Sequence, residues 1–489
     1  MSDELTRLAN SVLWPGFLGT TAPEWLLDEL RDGLAGVVYF GQNVGEDLAA
    51  LSGEILAANP AALIGIDEEG GSVTRLETAH GSTLPGAAQL GRLDDVAATE
   101  ATGAELARRV RAVGANVVLG PVADVNTDPR NPVIGVRSFG DDERLVSRHV
   151  VAEVCGIQHG AVAACVKHFP GHGDTHLDSH HALPEITLPV DELERVHLEP
   201  FRAAVAAGVD SIMTAHIVVP AWGEQPATLN PTVLGMLRDM GFEGVIITDA
   251  LDMAAIRETV GIGGGAALAL AAGADLLCIG NPTNPGEAAL ADQDLRDFLT
   301  ARDGIVAALR DGSLPRERVE QAAGRVAALA ARLRTADAAP APSFDAAEVV
   351  RRSILGEAPA PASALSVVDA RRRSTLAVDS AAGYVAAALA GDGHRVRLDV
   401  ASTSVAEQDE ALDAAVSAPG TTVVLIDRPD ADPAQRDLVA RAARRDPAAV
   451  AVNVGLAARE PLALPVIEVG AASRIGAQQA RERLLGRAG

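Results

Sequence analysis

The segment 167–181, KHFPGHGDTHLDSHH, is the densest group of chemically useful side chains in the sequence, with five histidines and two aspartates. Imidazole titrates near neutral pH, and a neighbouring carboxylate can orient the ring and stabilise its charged form. Asp178 and His180 lie two residues apart and provide such a carboxylate–imidazole pair. Their types and spacing predict a proton-transfer site.

A metal site is an alternative interpretation, because four histidines recur every four residues and would share one face of a helix. They are His168, His172, His176 and His180. Pro170, Gly171 and Gly173 would interrupt that helix, so the spacing does not place the rings together. A structural loop with its histidines bonded to backbone groups remains open. No metal site and no cofactor are predicted.

Eight short apolar runs must position these residues. Helix-like segments that end at glycines lie between the runs. Apolar strands alternating with helices predict a parallel sheet covered by helices, and eight repeats indicate a (β/α)8 TIM-like barrel. A doubly wound open sheet is disfavoured because no Gly-x-Gly-x-x-Gly follows the first run. The runs are 11–14, 36–40, 62–66, 116–119, 164–166, 210–213, 244–247 and 275–279.

Polar residues follow several of these runs, at the strand ends where barrels build their active sites. They are Asp67, Asp124, Lys167, His168, His216 and Asp249, with Arg137 in the connection after the fourth run. We find no Ser or Cys nucleophile elbow and no phosphate-binding loop among them. This inventory favours sugar chemistry, in which Asp249 attacks an anomeric carbon and His180 protonates the departing oxygen.

The C-terminal third has a different composition. Ala/Pro-rich runs predict a linker over 336–365, between a catalytic barrel domain at 1–335 and a small α/β doubly wound domain at 366–489. The strand candidates of that second domain are 374–378, 395–398, 421–426, 450–454 and 465–469. It has no catalytic motif, which favours a stabilising or docking role over a catalytic one.

The net charge of −25 argues against nucleic acid or an anionic membrane as partner. There is no signal-peptide pattern and no run of eighteen apolar residues, so we expect a soluble, cytoplasmic protein. Its expected partner is a small carbohydrate, and its oligomeric state is not predicted. Cys155, Cys165 and Cys278 are expected to be reduced, inert thiols.

Six segments together resemble glycoside hydrolase family 3, specifically its β-N-acetylglucosaminidase branch. The match at 167–184 is long and specific, whereas those at the strand ends are short. The segments are 66–75, 121–125, 133–139, 167–184, 213–216 and 247–253. The resemblance covers the whole predicted barrel.

This resemblance implies that Asp249 is the nucleophile and His180 the general acid/base, oriented by Asp178. It also implies a sugar-binding set, namely Asp67, Arg137, Lys167 and His168. For Arg75, Asp124 and His216 two interpretations stay open, support of that set or a purely structural role. The implied reaction is retaining exo-hydrolysis of β-linked N-acetylglucosamine, in muropeptides or related amino sugars, during cytoplasmic peptidoglycan recycling.

Three rival functions remain open. A phosphorylase acting on a β-N-acetylglucosaminide or β-glucoside would use the same residues, because an imidazole acid/base does not repel phosphate as a carboxylate would. A metal-dependent amidohydrolase would use the histidine run. A sugar-binding protein would keep the pocket without turnover, although it would have little need of Asp249 or the Asp178–His180 pair.

Overall fold

The computed structural model describes residues 2–175, 183–372 and 382–487. The chain divides into two compact units. The barrel unit comprises Met1–Glu68, Thr99–Val125 and Asp142–Ser343, and the C-terminal unit comprises Glu69–Ala98, Asn126–Asp141 and Phe344–Gly489. The predicted dyad residues Asp178 and His180 lie outside the described residues, as does the predicted strand 374–378.

The strands are β1 (Leu13–Pro15), β2 (Gly36–Tyr39), β3 (Leu63–Ile66), β4 (Val117–Val118), β5 (Ala163–Phe169), β6 (Ser211–Thr214), β7 (Val245–Ile247), β8 (Leu277–Gly280), β9 (Leu365–Asp369), β10 (Arg395–Arg397), β11 (Thr421–Ile426), β12 (Val450–Asn453) and β13 (Val466–Glu468). The α-helices are α1 (Ser2–Asn10), α2 (Glu24–Arg31), α3 (Leu48–Ala58), α4 (Ala87–Leu93), α5 (Val96–Ala112), α6 (Glu143–His159), α7 (Val190–Glu192), α8 (Glu199–Ala206), α9 (Pro231–Asp239), α10 (Ala254–Arg257), α11 (Gly261–Ala272), α12 (Gln293–Asp311), α13 (Arg316–Thr335), α14 (Ala346–Ser353), α15 (Gly383–Ala390), α16 (Val405–Ser417), α17 (Pro433–Arg445) and α18 (Arg474–Leu484).

The barrel unit contains the eight predicted strands, and every pair between them is parallel. Strands β2 to β7 follow one another in chain order, and β1 pairs with β8. A parallel bridge from Ile247 to Leu276 joins β7 to the start of β8, and the Ala35 amide donates to the Asn10 carbonyl on the β1–β2 side. The predicted TIM-like (β/α)8 barrel is confirmed.

A large and a small residue fit together inside this barrel. Trp14 is fully buried, and its indole Nε1 donates to the Leu63 carbonyl oxygen at 2.8 Å. A Cβ at Gly65 would lie 2.3 Å from the Trp14 ring, so only glycine leaves room for the indole. The interior is thus packed with side chains, and ligand chemistry is confined to the strand ends.

The C-terminal unit is built on a five-stranded parallel sheet of order β10-β9-β11-β12-β13. Neighbouring residues enter different cores: Val367 and Val423 pack with α14, α15 and α18, whereas Val368 and Val424 pack with α16 and α17. Helices therefore cover both faces, and the predicted doubly wound α/β fold is confirmed.

Two details of this unit differ from the sequence prediction. Strand β9 (Leu365–Asp369) was not among the predicted strands. It directly follows the Ala/Pro-rich stretch, and its first residue lies within the predicted linker. Helix α14 lies inside that linker, where its Val349 and Val350 are buried. The linker is thus partly ordered structure with its own apolar face.

The C-terminal unit also includes Glu69–Ala98 and Asn126–Asp141, which we call the inserted segments. They follow β3 and β4 and lie within the range 1–335 predicted for the catalytic domain. The predicted boundaries of that domain stay a prediction. Among the described residues, no helix is both long and apolar enough to cross a bilayer.

Candidate active site

The predicted barrel residues that the structure describes lie at the carboxyl ends of the strands. Asp67 directly follows β3, Lys167 and His168 lie near the end of β5, and Asp249 follows β7 by two residues. Because all strands are parallel, these ends share one edge of the barrel. The site residues of the barrel unit that the structure describes therefore belong to a single edge.

Asp67 and Lys167 form a close ion pair, with the Lys167 Nζ 2.6 Å from Asp67 Oδ1. The lysine side chain is only 3% exposed, whereas the aspartate is 19% exposed. The pair leaves part of the carboxylate accessible beside the ammonium group. An accessible carboxylate beside an ammonium group can accept from one sugar hydroxyl while the ammonium donates to another.

Asp124 is a fully buried carboxylate that organises the start of the histidine run. Its Oδ2 accepts from His168 Nδ1 at 2.7 Å, and its Oδ1 accepts from the His172 amide at 2.6 Å. Burial opposes the charged form, but the charge and hydrogen bond of His168, together with the hydrogen bond from the His172 amide, prevail and lower the pKa of Asp124. Asp124 therefore fixes the ring orientation of a predicted sugar-binding histidine.

His172 was not predicted as a functional residue. Its side chain is buried, its Nδ1 lies 2.8 Å from Thr175 Oγ1, and burial lowers the pKa of His172 to about 4 despite the opposing charge of Asp124. It is therefore a neutral ring at physiological pH. It anchors the last described residues before the segment that carries Asp178 and His180.

Asp249 is half-buried, and its backbone amide donates to Thr214 Oγ1 at 3.4 Å. Its own Oδ1 accepts from the amide of Ala250 at 2.8 Å, which fixes the carboxylate relative to its backbone. A half-buried carboxylate held in this way can reach a substrate without reorganising, which suits a nucleophile.

His216 lies behind this carboxylate, fully buried. Its Nε2 donates to the Ala250 carbonyl at 2.9 Å, and its Nδ1 lies 2.8 Å from Thr228 Oγ1. Thr228 Oγ1 also contacts Thr214 Oγ1 at 2.8 Å. We call Thr214, Thr228 and His216 the β6 network. The network bonds to the Asp249 amide through Thr214 and to the Ala250 carbonyl through His216. This arrangement favours a positioning role for His216.

Asp252 is a second carboxyl group close to Asp249 in the chain, but it is buried. Its Oδ2 accepts from Asn284 Nδ2 at 2.7 Å, and Oδ1 has no hydrogen-bond partner in the described part of the chain. Burial raises the pKa of Asp252 to about 7, and the charges of Asp297 and, to a smaller extent, Asp249 add to this rise. Asp252 is therefore poorly suited to attack a substrate.

Arg137 and Arg75 belong to the C-terminal unit. The Arg137 guanidinium makes a bidentate pair with Glu69, with distances of 2.9 Å from Nε to Oε2 and 2.8 Å from Nη2 to Oε1. Both side chains are buried. Arg75 is half-buried in the same unit. Glu69 was not predicted to be functional, although it follows Asp67 by two residues in the matching segment.

The metal-dependent alternative and the cysteine thiols can also be compared with the structure. In the described ranges, no group of three or more His, Cys, Asp or Glu side chains is arranged to hold a metal ion. The thiols of Cys155, Cys165 and Cys278 are free, and burial raises the pKa of each. Protonated thiols of this kind are weak nucleophiles.

Residues 21–329 match the Glycosyl hydrolase family 3 N terminal domain, and this range is more than half of the chain. The chain belongs to glycosyl hydrolase family 3. It is therefore a glycoside hydrolase, an enzyme that hydrolyses O-glycosyl bonds. The family resemblance predicted from the strand ends and the histidine segment is confirmed.

Individual relatives extend this result. The chain is 32% identical over 329 residues to Beta-hexosaminidase of Xylella fastidiosa strain 9a5c. This alignment covers 63% of this chain and 97% of that protein. The chain is 34% identical over 267 residues to Beta-hexosaminidase A of Pseudoalteromonas piscicida, covering 49% of this chain but only 44% of that longer protein. A solved family 3 beta-N-acetylglucosaminidase from Paenibacillus sp. str. FPU-7 aligns with a TM-score of 0.84 at 30% identity, covering 99% of this chain and 97% of that one.

Proposed function

We propose that this family 3 enzyme is a retaining exo-β-N-acetylglucosaminidase. The Paenibacillus beta-N-acetylglucosaminidase supports the sugar assignment, because its similarity extends over 99% of this chain. The observation that carries the chemistry is the Asp249 carboxylate, which is half-buried at a barrel strand end and fixed by the Ala250 amide.

In the proposed first step, Asp249 attacks the anomeric carbon and forms a covalent glycosyl-enzyme while the glycosidic bond breaks. His180 gives its proton to the departing oxygen, and Asp178 stabilises the imidazole. In the second step His180 takes a proton from water, which hydrolyses the intermediate with net retention. The assignment of Asp178 and His180 rests on the resemblance of the 167–184 segment.

The terminal sugar would be held by charged groups at the same strand ends. Lys167 and Asp67 offer a donor and an acceptor in one ion pair, and His168 presents a ring oriented by Asp124. Arg137 supplies further donors in this proposal. Charged partners of this kind make hydrogen bonds about twice as strong as neutral ones.

The natural substrate in this proposal is β-linked N-acetylglucosamine in muropeptides or related amino sugars, turned over in the cytoplasm during peptidoglycan recycling. The family branch suggested by the sequence supports this choice. The net charge of −25 argues against nucleic acid or an anionic membrane as the partner.

A panel of 4-nitrophenyl β-glycosides tests the proposal. We expect the N-acetylglucosaminide to be hydrolysed with the highest kcat/KM, and Asp249→Ala to abolish hydrolysis of every glycoside in the panel. Asp239→Ala, which changes a carboxylate at the end of α9, is the matched control and should retain activity. Highest activity on the glucoside, or residual turnover by Asp249→Ala, would contradict the proposal.

The same panel separates hydrolysis from phosphorolysis. Reactions run in phosphate and in a non-phosphate buffer should release free N-acetylglucosamine at the same rate. Accumulation of a sugar 1-phosphate that depends on phosphate would instead identify a phosphorylase using the same residues.

A further inference from the structure

The inserted segments carry Arg137, yet they pack with the C-terminal sheet. Their mutual contacts are close: Glu69 and Arg137 form the buried bidentate pair, and α4 packs against the other segment at Phe139. A Cβ at Gly91 of α4 would lie 1.8 Å from the Phe139 carbonyl oxygen, so the helix and that backbone are in direct contact. Phe139 is two residues from Arg137, and its position therefore depends on that of α4.

Helix α4 is bonded in turn to the C-terminal part of the chain. The Gln89 Nε2 donates to the Val469 carbonyl at 3.0 Å, just past β13. The Arg92 Nη1 donates to the carbonyls of Glu468 at 2.8 Å and Ser353 at 3.1 Å. Both side chains sit on a helix of only seven residues, which cannot hold its own position without such contacts.

The rest of the first inserted segment is bonded to the same region. The Ala472 amide donates to Ser72 Oγ at 2.9 Å, and the Ile475 amide donates to the Ser82 carbonyl at 3.2 Å. Gly81 lies against the ring of Tyr384, where a Cβ would be 2.2 Å away. These contacts are buried or half-buried and involve backbone groups, so they define a fixed geometry.

The second inserted segment is held at a different strand. The Arg428 Nη2 donates to the Pro132 carbonyl at 3.3 Å, and Arg428 lies two residues after β11. Both contact regions, after β11 and at β13, belong to the carboxyl edge of the sheet. That edge is where doubly wound sheets usually bind ligands, and here it holds two segments of its own chain.

We propose that the C-terminal unit is the scaffold that positions Arg137 for sugar binding, with Gln89 and Arg92 of α4 as the positioning residues. This inference rests on the proposed function, because Arg137 is a sugar-binding residue only in that proposal. The scaffold contacts fix α4, α4 fixes the backbone at Phe139, and Glu69 fixes the guanidinium.

Kinetics of Arg92→Met test the proposal. The variant keeps the apolar stem but loses both carbonyl contacts, and we expect KM to rise about tenfold with kcat changed less than about twofold, as for a lost ground-state contact. Arg352→Met is the matched control, since Arg352 is half exposed in the same unit and its ion pair with Asp95 is long, at 3.6 Å. It should leave KM unchanged.

A double-mutant cycle with Arg137→Met decides whether the effect passes through Arg137. In that background, Arg92→Met should add no further rise in KM, because the group that it positions has gone. Additive effects, or an Arg92→Met variant with normal KM, would overturn the proposal. If Arg92→Met does not fold, Gln89→Met replaces it, with the same expected outcome.

Hydrogen exchange on the free protein separates this inference from the proposed function, because it needs no substrate. Peptides covering 126–141 should exchange at least about threefold faster in Arg92→Met than in Arg352→Met, since loss of the α4 contacts lowers local stability. Unchanged exchange there would overturn the scaffold role even in an active enzyme. Faster exchange in an enzyme that cleaves no glycoside would refute only the proposed function.

Discussion

At the scale of single residues, Asp249 and Asp252 show how two nearby carboxyl groups acquire different chemistry. Asp249 is half-buried and bonded to a backbone amide, whereas Asp252 is buried against Gly280 and bonded to Asn284. Solvation and hydrogen bonds keep a carboxylate ionised, and burial favours the neutral acid. The two residues lie only three positions apart in the chain, and their environments separate them.

The raised pKa of Asp252 predicts a specific pH dependence of stability. The group titrates near pH 4 when unfolded and near pH 7 when folded, so its destabilising effect grows with pH between these values and is constant above pH 7. Asp252→Asn should therefore gain free energy of unfolding relative to the wild type from pH 4 to pH 7, by no more than about 4 kcal/mol. Guanidinium chloride unfolding at several pH values measures this, and a difference that does not vary with pH would contradict it.

Pairings between distant residues were the part of the site that sequence could not predict. Asp124 was predicted to lie near the site, but not to bond His168, and Glu69 was not singled out as the partner of Arg137. Each pair joins residues more than forty positions apart, and their approach depends on backbone geometry that no local pattern encodes. The residue types were predictable because strand ends concentrate polar groups.

At the scale of elements, the carboxyl end of β6 supports the end of β7. The β6 network links the Asp249 amide, through Thr214 and Thr228, to His216, which in turn bonds the Ala250 carbonyl. The short strands and their alternation with helices were predictable from apolar runs. The network was not, because Thr228 lies in the connection that follows β6 and has no motif of its own.

Removal of the Thr228 hydroxyl should therefore impair catalysis. Thr228→Val preserves shape but leaves His216 and Thr214 without their shared partner, and we expect kcat/KM to fall about tenfold or more, as for a displaced reacting group. Thr228→Ser keeps the hydroxyl and should remain close to wild type. Steady-state kinetics with the N-acetylglucosaminide measure both, and equal loss in the two variants would indicate a packing effect instead.

At the scale of the whole molecule, the chain contains the barrel and the doubly wound sheet that the sequence predicted. Its two compact units, however, are each made of segments that are not continuous in the chain. Composition located the change from one sheet to the other, near the Ala/Pro-rich stretch. It could not show that segments after β3 and β4 group with the C-terminal sheet, because that grouping depends on contacts such as those of Gln89 and Arg92.

At this scale we also predict that activity requires no metal ion. The proposed chemistry uses only carboxylate and imidazole groups, so dialysis against a strong chelator should leave kcat/KM within about twofold of the untreated enzyme. The amidohydrolase alternative predicts the opposite. Loss of activity on dialysis with recovery on adding zinc would support that rival and refute the glycosidase mechanism.

The most direct test of the central claim is the fate of the sugar in a His180→Ala variant. An aryl N-acetylglucosaminide with an acidic phenol needs little protonation to leave, so attack by Asp249 should proceed while hydrolysis of the intermediate is slow. We predict a burst of phenol equal to the enzyme concentration, and an N-acetylglucosamine adduct that peptide mass spectrometry maps to Asp249. Absence of a burst and adduct, or an adduct on Asp252, would contradict the account.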